Sequence, residues 1–153
     1  MGSGDVYKRQ TGHSLGGALA TLAAKLIGKA TPNIAAFTFG QPRVGDPLFA
    51  ESYGPKHYRF VTEKDVVPKV PLRGIFTRYR HVGQEVILSE TEYRLGEGDT
   101  RLLDDRFLQL LAGQVGLSEI ALDEFISDGI REHQLATYIS RCEHHSSFRG
   151  QES

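Results

Sequence analysis

Hydrophobic positions along the 153-residue chain fall into two kinds of run. One kind is long and rich in small residues. Residues 15–30 (LGGALATLAAKLIGKA) carry charge only at Lys25 and Lys29, which predicts a largely buried helix whose small side chains let it lie close against a sheet. Gly28 and then Pro32 mark its end. The other kind is short. Residues 34–39 (IAAFTF), closed by Gly40, read as a strand covered on both faces. Residues 57–62 (HYRFVT) read as a second strand, halted near Lys64 and Asp65, and Pro68 and Pro71 forbid regular structure just beyond it. A third extended run is expected over 79–88.

Between these runs, Pro42 and Gly45 make a loop, and Asp46 followed by Pro47 suits the start of a short helix. Residues 91–105 are polar and without period, as in a surface loop. Helical patterns return over 107–112, over 117–126 with Ser118 as N-cap, and over 130–142; the residues after Glu143 read as a frayed, solvated tail. There is no internal repeat. Helices alternating with buried strands imply an α/β domain built on a parallel sheet, and a compact chain of this length buries about 70% of its unfolded surface. One stretch breaks the pattern. Residues 5–10 (DVYKRQ) stand where a buried strand should lead into the first helix, yet carry Asp5, Lys8, Arg9 and Gln10.

Composition narrows the function classes. With 18 basic and 19 acidic side chains the formal charge is −1, and no basic stripe with interleaved aromatics exists to hold nucleic acid. No apolar run reaches the ~18 residues of a membrane span. Cys142 is the only cysteine, which excludes an intrachain disulfide and a cysteine zinc site. The adjacent Cys142, Glu143, His144 and His145 are too tightly spaced to close a coordination sphere, and the carboxylates of 97–106 lack the alternating spacing of a calcium loop. No metal or cofactor is expected.

The chemistry-bearing motif is Gly12-His13-Ser14-Leu15-Gly16, a G-x-S-x-G nucleophile elbow followed at once by an apolar helix and a buried strand. The motif holds a serine in a strained strand-to-helix turn, with Gly12 and Gly16 leaving room where a Cβ would clash. The hydroxyl then projects at a helix N-terminus, and the Leu15 N–H supplies an oxyanion donor. Such a serine needs a base, and the base an acid; on α/β hydrolases these follow it in the chain, acid first and then histidine. Asp65, just past the end of a predicted strand, is the placed candidate for the acid, with Asp46, Asp104, Asp105, Asp123 and Asp128 as rivals. Among six histidines, His13 lies inside the elbow and points away from its neighbour's hydroxyl, and His57 precedes the acid. His81, His133, His144 and His145 all satisfy chain order; His133 has the advantage of a loop–helix junction.

The spaced blocks GHSLGGALA, TFGQPRVGD, HYRFVTEKDVVPKVP, YRHVGQEV and EHQLATYI resemble, in order, those of the fungal-type class 3 lipases of the α/β-hydrolase superfamily. The resemblance covers residues 11 to about 140. It implies Ser14 as nucleophile, Asp65 as acid, His133 as base and His81 as a structural histidine beside the strand leading from Val82. Glu132 departs from the aspartate that often precedes the family's catalytic histidine. The implied activity is hydrolysis of lipid carboxylic esters at a lipid–water interface, without a cofactor. A phospholipase A1, a short-chain esterase, or a non-catalytic lipid-binding remnant are the alternatives.

In that family the elbow lies near the middle of the domain, after several strands, a lid and the loop that donates the second oxyanion bond. Residues 11–143 are therefore expected to be the C-terminal part of a catalytic domain, a partial α/β-hydrolase fold without its N-terminal strands and lid. Residues 144–153 are expected to be a disordered tail. Residues 1–10 are expected to be a non-native leader, since DVYKRQ resembles an in-frame translation of a transposon end used in preparing sequencing libraries. A chain so composed should hold the three site residues but hydrolyse weakly, because loss of one oxyanion donor costs about 10²–10³ in rate.

Overall fold

A computed structural model describes residues 8–31, 33–71, 78–90, 92–96 and 127–148. Five strands form one sheet in chain order: β1 (Lys8–His13), β2 (Ile34–Phe39), β3 (Lys56–Thr62), β4 (Gln84–Leu88) and β5 (Tyr93–Leu95). The first four are mutually parallel, and β5 returns antiparallel to β4. Helix α1 (Leu15–Gly28) crosses over between β1 and β2, α2 (Pro47–Glu51) is a short turn before β3, and α3 (Leu135–Phe148) packs on β4 from the opposite face. The predicted α/β class with a parallel sheet is what forms.

Each face of the sheet has its own core. On one, Ala24 and the partly buried Ile27 of α1 pack on Ile34 and Ala36. On the other, Tyr138 of α3 packs on Val86 and Leu88, with Phe39, Phe60 and Cys142 around it. The side of α1 that meets the sheet is made of small residues, Gly17, Ala18, Ala20, Thr21 and Ala24. Their size allows the helix to approach the strands closely, and the large side chains are left on the other side. Leu15, Leu19 and Leu26 are 68%, 58% and 68% exposed. The expectation of a largely buried helix is thus corrected: one face is buried and a leucine stripe faces solvent.

The polar entry lies at the edge of the sheet formed by the described residues. Lys8 and Arg9 pair with Ile34 and Ala35 through the backbone while their side chains remain exposed, so no charge has to be buried. Other expectations shift at boundaries. Within 79–88 only Gln84–Leu88 is strand; Arg80 instead makes an isolated bridge with Gly45. The polar stretch expected as a loop contains β5, a three-residue edge strand whose pairing needs no apolar pattern because all three residues are exposed. Residues 130–142 are not one helix: residues 127–132 are helical, the chain breaks at His133 and Gln134, and α3 begins at Leu135. Nor is the region after Glu143 wholly a frayed tail. α3 runs to Phe148, held where His145 Nε2 donates to the Ser89 carbonyl at 3.3 Å and its ring meets Tyr93 edge-on at 5.9 Å. The predicted helices 107–112 and 117–126 lie outside the described residues. No helix among the described residues is long and apolar enough to cross a membrane.

A buried polar group of residues gathers on β2, β3 and β4. The Arg59 guanidinium reaches the Val82 carbonyl at 3.1 Å and Glu85 at 3.4 Å, with both side chains buried. Beside them His57 is hydrogen-bonded to Thr38 Oγ1 at 3.0 Å. Burial, reinforced by the Arg59 charge, lowers the His57 pKa from 6.5 to about 4. A histidine so depressed binds its proton less readily folded than unfolded. Its contribution to stability is therefore intact above 6.5 and is lost as pH falls from 6.5 towards 4, by about 3 kcal/mol in all. Denaturant unfolding measured across that window should show stability falling steeply in the wild type, with a shallower slope in His57→Gln; equal slopes would exclude His57 as the source.

Candidate active site

Residues 12–16 join the end of β1 to the start of α1. Ser14 is the sole non-glycine residue with positive φ among the described residues, at φ 57° and ψ −130°. Its backbone is pinned on both sides: its N–H donates to the Phe39 carbonyl at 2.9 Å, and its carbonyl accepts from Gly17 N–H at 2.9 Å. A Cβ on Gly12 would lie 2.2 Å from the Gly16 carbonyl oxygen, so Gly12 is required sterically. Gly16 is not. A Cβ there would meet nothing within 4 Å among the described residues, and the second closely packed glycine is Gly17, whose Cβ would lie 3.1 Å from the Gly12 carbonyl oxygen and from Gln41 Cβ. As first residue of α1, Leu15 has an N–H with no intrahelical acceptor, at the positive end of the helix.

Ser14 caps α1 without using its side chain, which leaves the hydroxyl free. Its Oγ lies 2.8 Å from His133 Nε2. On the other side of that ring, Nδ1 lies 2.9 and 3.1 Å from the two carboxylate oxygens of Asp65. Nδ1 therefore carries the proton that Asp65 accepts, and Nε2 is left to accept from the serine. Asp65 is 1% exposed, and a buried carboxylate is tolerable only when its lone pairs are used. They are. Oδ1 accepts from Val67 N–H at 2.8 Å, at the start of the 3₁₀ turn Val67–Lys69, and Oδ2 accepts from the Tyr138 hydroxyl at 2.6 Å.

Tyr138 went unremarked in the sequence because its apolar spacing in the last helix reads simply as core. It is fully buried, and its oxygen also accepts from Thr62 N–H at 3.3 Å. Burial foremost, then the Asp65 charge, push its phenol well above the usual range, so it remains a donor. Gly40 was legible only as a strand terminator. It has φ +56°, and a Cβ would stand 2.8 Å from Asp65 Oδ2 and 3.0 Å from His133 Nδ1. It leaves the space in which the carboxylate and imidazole meet.

The rivals are held elsewhere. His81 Nε2 donates to the Pro68 carbonyl at 2.7 Å, His57 is buried on Thr38, and His145 is on Ser89. Asp46 caps α2 by accepting from Phe49 N–H at 2.8 Å, and Asp128 pairs with Arg131 at 3.2 Å. Asp104, Asp105 and Asp123 lie outside the described residues. His133 itself sits in the break before α3, which Arg141 spans by a bidentate pair with Glu132 at 3.0 Å. No group of His, Cys, Asp and Glu among the described residues is arranged to hold a metal.

Two substitutions test this frame. Gly40→Ala should lower stability by about 1–2 kcal/mol from its φ alone, and should abolish the low-field Nδ1 proton resonance of His133 by forcing Asp65 away. Tyr138→Phe removes a hydrogen bond to a charged acceptor and should destabilise by about 1.5–3 kcal/mol in chemical denaturation; an unchanged midpoint would show that the bond contributes nothing.

Comparison with known proteins places this geometry. Residues 6–74 match the family model "Lipase (class 3)". The lipase of Rhizomucor miehei is 41% identical over 88 residues, covering 52% of this chain and 24% of its own length. The chloroplastic phospholipase A(1) DAD1 of Arabidopsis thaliana is 48% identical over 67 residues, covering 40% of this chain and 15% of its own. A solved triacylglycerol lipase, whose catalytic centre is described as a serine protease triad, superposes with a TM-score of 0.55 at 32% identity, over 67% of this chain and 43% of that one. Lipase II from Rhizopus niveus superposes with a TM-score of 0.54 at 32% identity, over 75% and 45%. The chain thus spans a quarter or less of these curated relatives and under half of these solved lipases. The fold is part of an α/β hydrolase, and residues 6–74 of the chain are similar to the class 3 lipases.

Proposed function

We propose that this chain carries the triad of a serine ester hydrolase acting on lipid acyl esters. One observation carries the reading: the continuous chain from Ser14 Oγ through both nitrogens of His133 to the buried Asp65, with links of 2.8 and 2.9 Å. His133 Nε2 takes the serine proton as Oγ bonds to the ester carbonyl carbon, and Asp65 holds the ring and stabilises its cation. The carbonyl oxygen, now an anion, lies at the N-terminus of α1, where the Leu15 N–H is a donor. Collapse of the tetrahedral adduct breaks the ester C–O bond, and the leaving alcohol takes the proton from His133. Water, deprotonated by His133 in turn, then frees the acid and regenerates Ser14. No step calls for a metal or organic cofactor.

Acylglycerols are the proposed substrates. A phospholipase A1 is the second reading, favoured by the similarity to the Arabidopsis enzyme. A panel of triacylglycerol, phosphatidylcholine and short-chain esters, presented to the gene product, separates these readings.

The test of the triad is covalent. A fluorescent fluorophosphonate should label the purified chain at Ser14, with no adduct in Ser14→Ala and a labelling rate about a thousandfold lower in His133→Ala. Equal labelling of wild type and Ser14→Ala, or none in either, would overturn the proposal and leave a non-catalytic lipid-binding protein.

A further inference from the structure

We propose that His13, the variable residue of the elbow, is a positioning residue for the His133 imidazole. The inference rests on His133 being the base, and on geometry that the triad itself does not use. His13 Nε2 lies 2.7 Å from the main-chain oxygen of His133. A carbonyl can only accept, so His13 carries its proton on Nε2 and donates. The two imidazole rings also stack, with centroids 4.7 Å apart and planes 28° apart. The third neighbour of His13 is Tyr138, whose ring meets it edge-on at 5.8 Å.

His133 needs such support because of where it stands. It lies in the break between residues 127–132 and α3, so continuous helix does not hold it. Its N–H still donates to the Gly129 carbonyl at 3.1 Å. Its carbonyl, in an unbroken helix, would accept from the N–H of Thr137, but that N–H donates to Gln134 at 3.0 Å. His13 supplies the missing donor to a carbonyl that the break has freed.

The strained turn explains how one dipeptide can do two jobs. With Ser14 at φ 57°, the side chains of His13 and Ser14 diverge and grip His133 from different directions. The hydroxyl meets the ring edge at Nε2, and the His13 ring meets its face. The nucleophile and its base are thereby indexed to the same two residues at the end of β1. Neither ring nitrogen of His133 is spent on this contact, so its proton traffic with Ser14 and Asp65 is undisturbed. Around the His133 imidazole stand Asp65 from the loop after β3, Ser14 and His13 from the elbow, and Tyr138 from α3, with the Arg141–Glu132 pair one residue away.

Three variants separate the two contacts. His13→Phe keeps a ring but loses the donor, His13→Gln keeps a donor without the ring, and His13→Leu has neither. The readouts are the low-field Nδ1 proton resonance of His133 and the rate of fluorophosphonate labelling at Ser14. Loss or marked broadening of the resonance in His13→Leu, at least a tenfold drop in its labelling rate, and smaller losses in Phe and Gln are expected. A His13→Leu chain that keeps the wild-type resonance and labelling rate would overturn the proposal. So would equal losses in all three variants that track their loss of thermal stability, since that is general destabilisation. If the wild type does not label at all, the hydrolase reading fails, while the resonance still decides whether His13 positions His133.

Discussion

The parallel register of β1, β2 and β3 is the constraint on which the site depends. Backbone pairing sets His13 beside Phe39, and Phe39 beside Phe60, so three strands leave the sheet at one rim. The residues just past each strand end are collected there: Ser14 after β1, Gly40 after β2, and Asp65 three residues after β3. A slip of one residue in any pair would turn every side chain of that strand to the other face and pull these groups apart. The register is itself secured by different residues on the two faces, small ones beneath α1 and aromatic ones beneath α3.

Onto this rim the last helix brings the remaining parts. α3 carries Tyr138, whose ring fills the core beside Val86 and Leu88 while its hydroxyl reaches Asp65. The same residue therefore couples packing to the orientation of a buried carboxylate. Asp65 receives donors from its own loop, from α3 and from His133, which is how a charge at 1% exposure is kept without an unpaired lone pair. A second set of buried charges, Arg59 with Glu85, lies on the opposite face of β3 and β4. Burial raises the Glu85 carboxyl against the pull of Arg59, a sign that desolvation outweighs the pairing there.

Much of the frame was legible along the chain because it is local. A glycine two residues before a serine, with an alanine-rich helix after it, describes a strained turn wherever it occurs, and Asp46-Pro47 describes a capped helix start. β2 and β3 announced themselves by apolar runs. β5 did not, since an exposed edge strand is held by backbone hydrogen bonds that any side chain permits. Nor did composition announce β1, where the exposed Lys8 and Arg9 pair with Ile34 and Ala35 through the backbone.

The sequence by itself carried the G-x-S-x-G motif and the family resemblance, with the acid-then-histidine order that the resemblance implies. Each rests on residues close together or on blocks in a set order. Chain order alone left His81, His133, His144 and His145 open, and it was the family resemblance that implied His133. Neither assigned Gly40, Tyr138 or His13. The contacts of these residues span 25 (Gly40 to Asp65) to 125 (His13 to Tyr138) positions of chain. Only the folded sheet brings such partners to within a hydrogen bond, and so only tertiary structure decided which imidazole meets the serine and what holds it there.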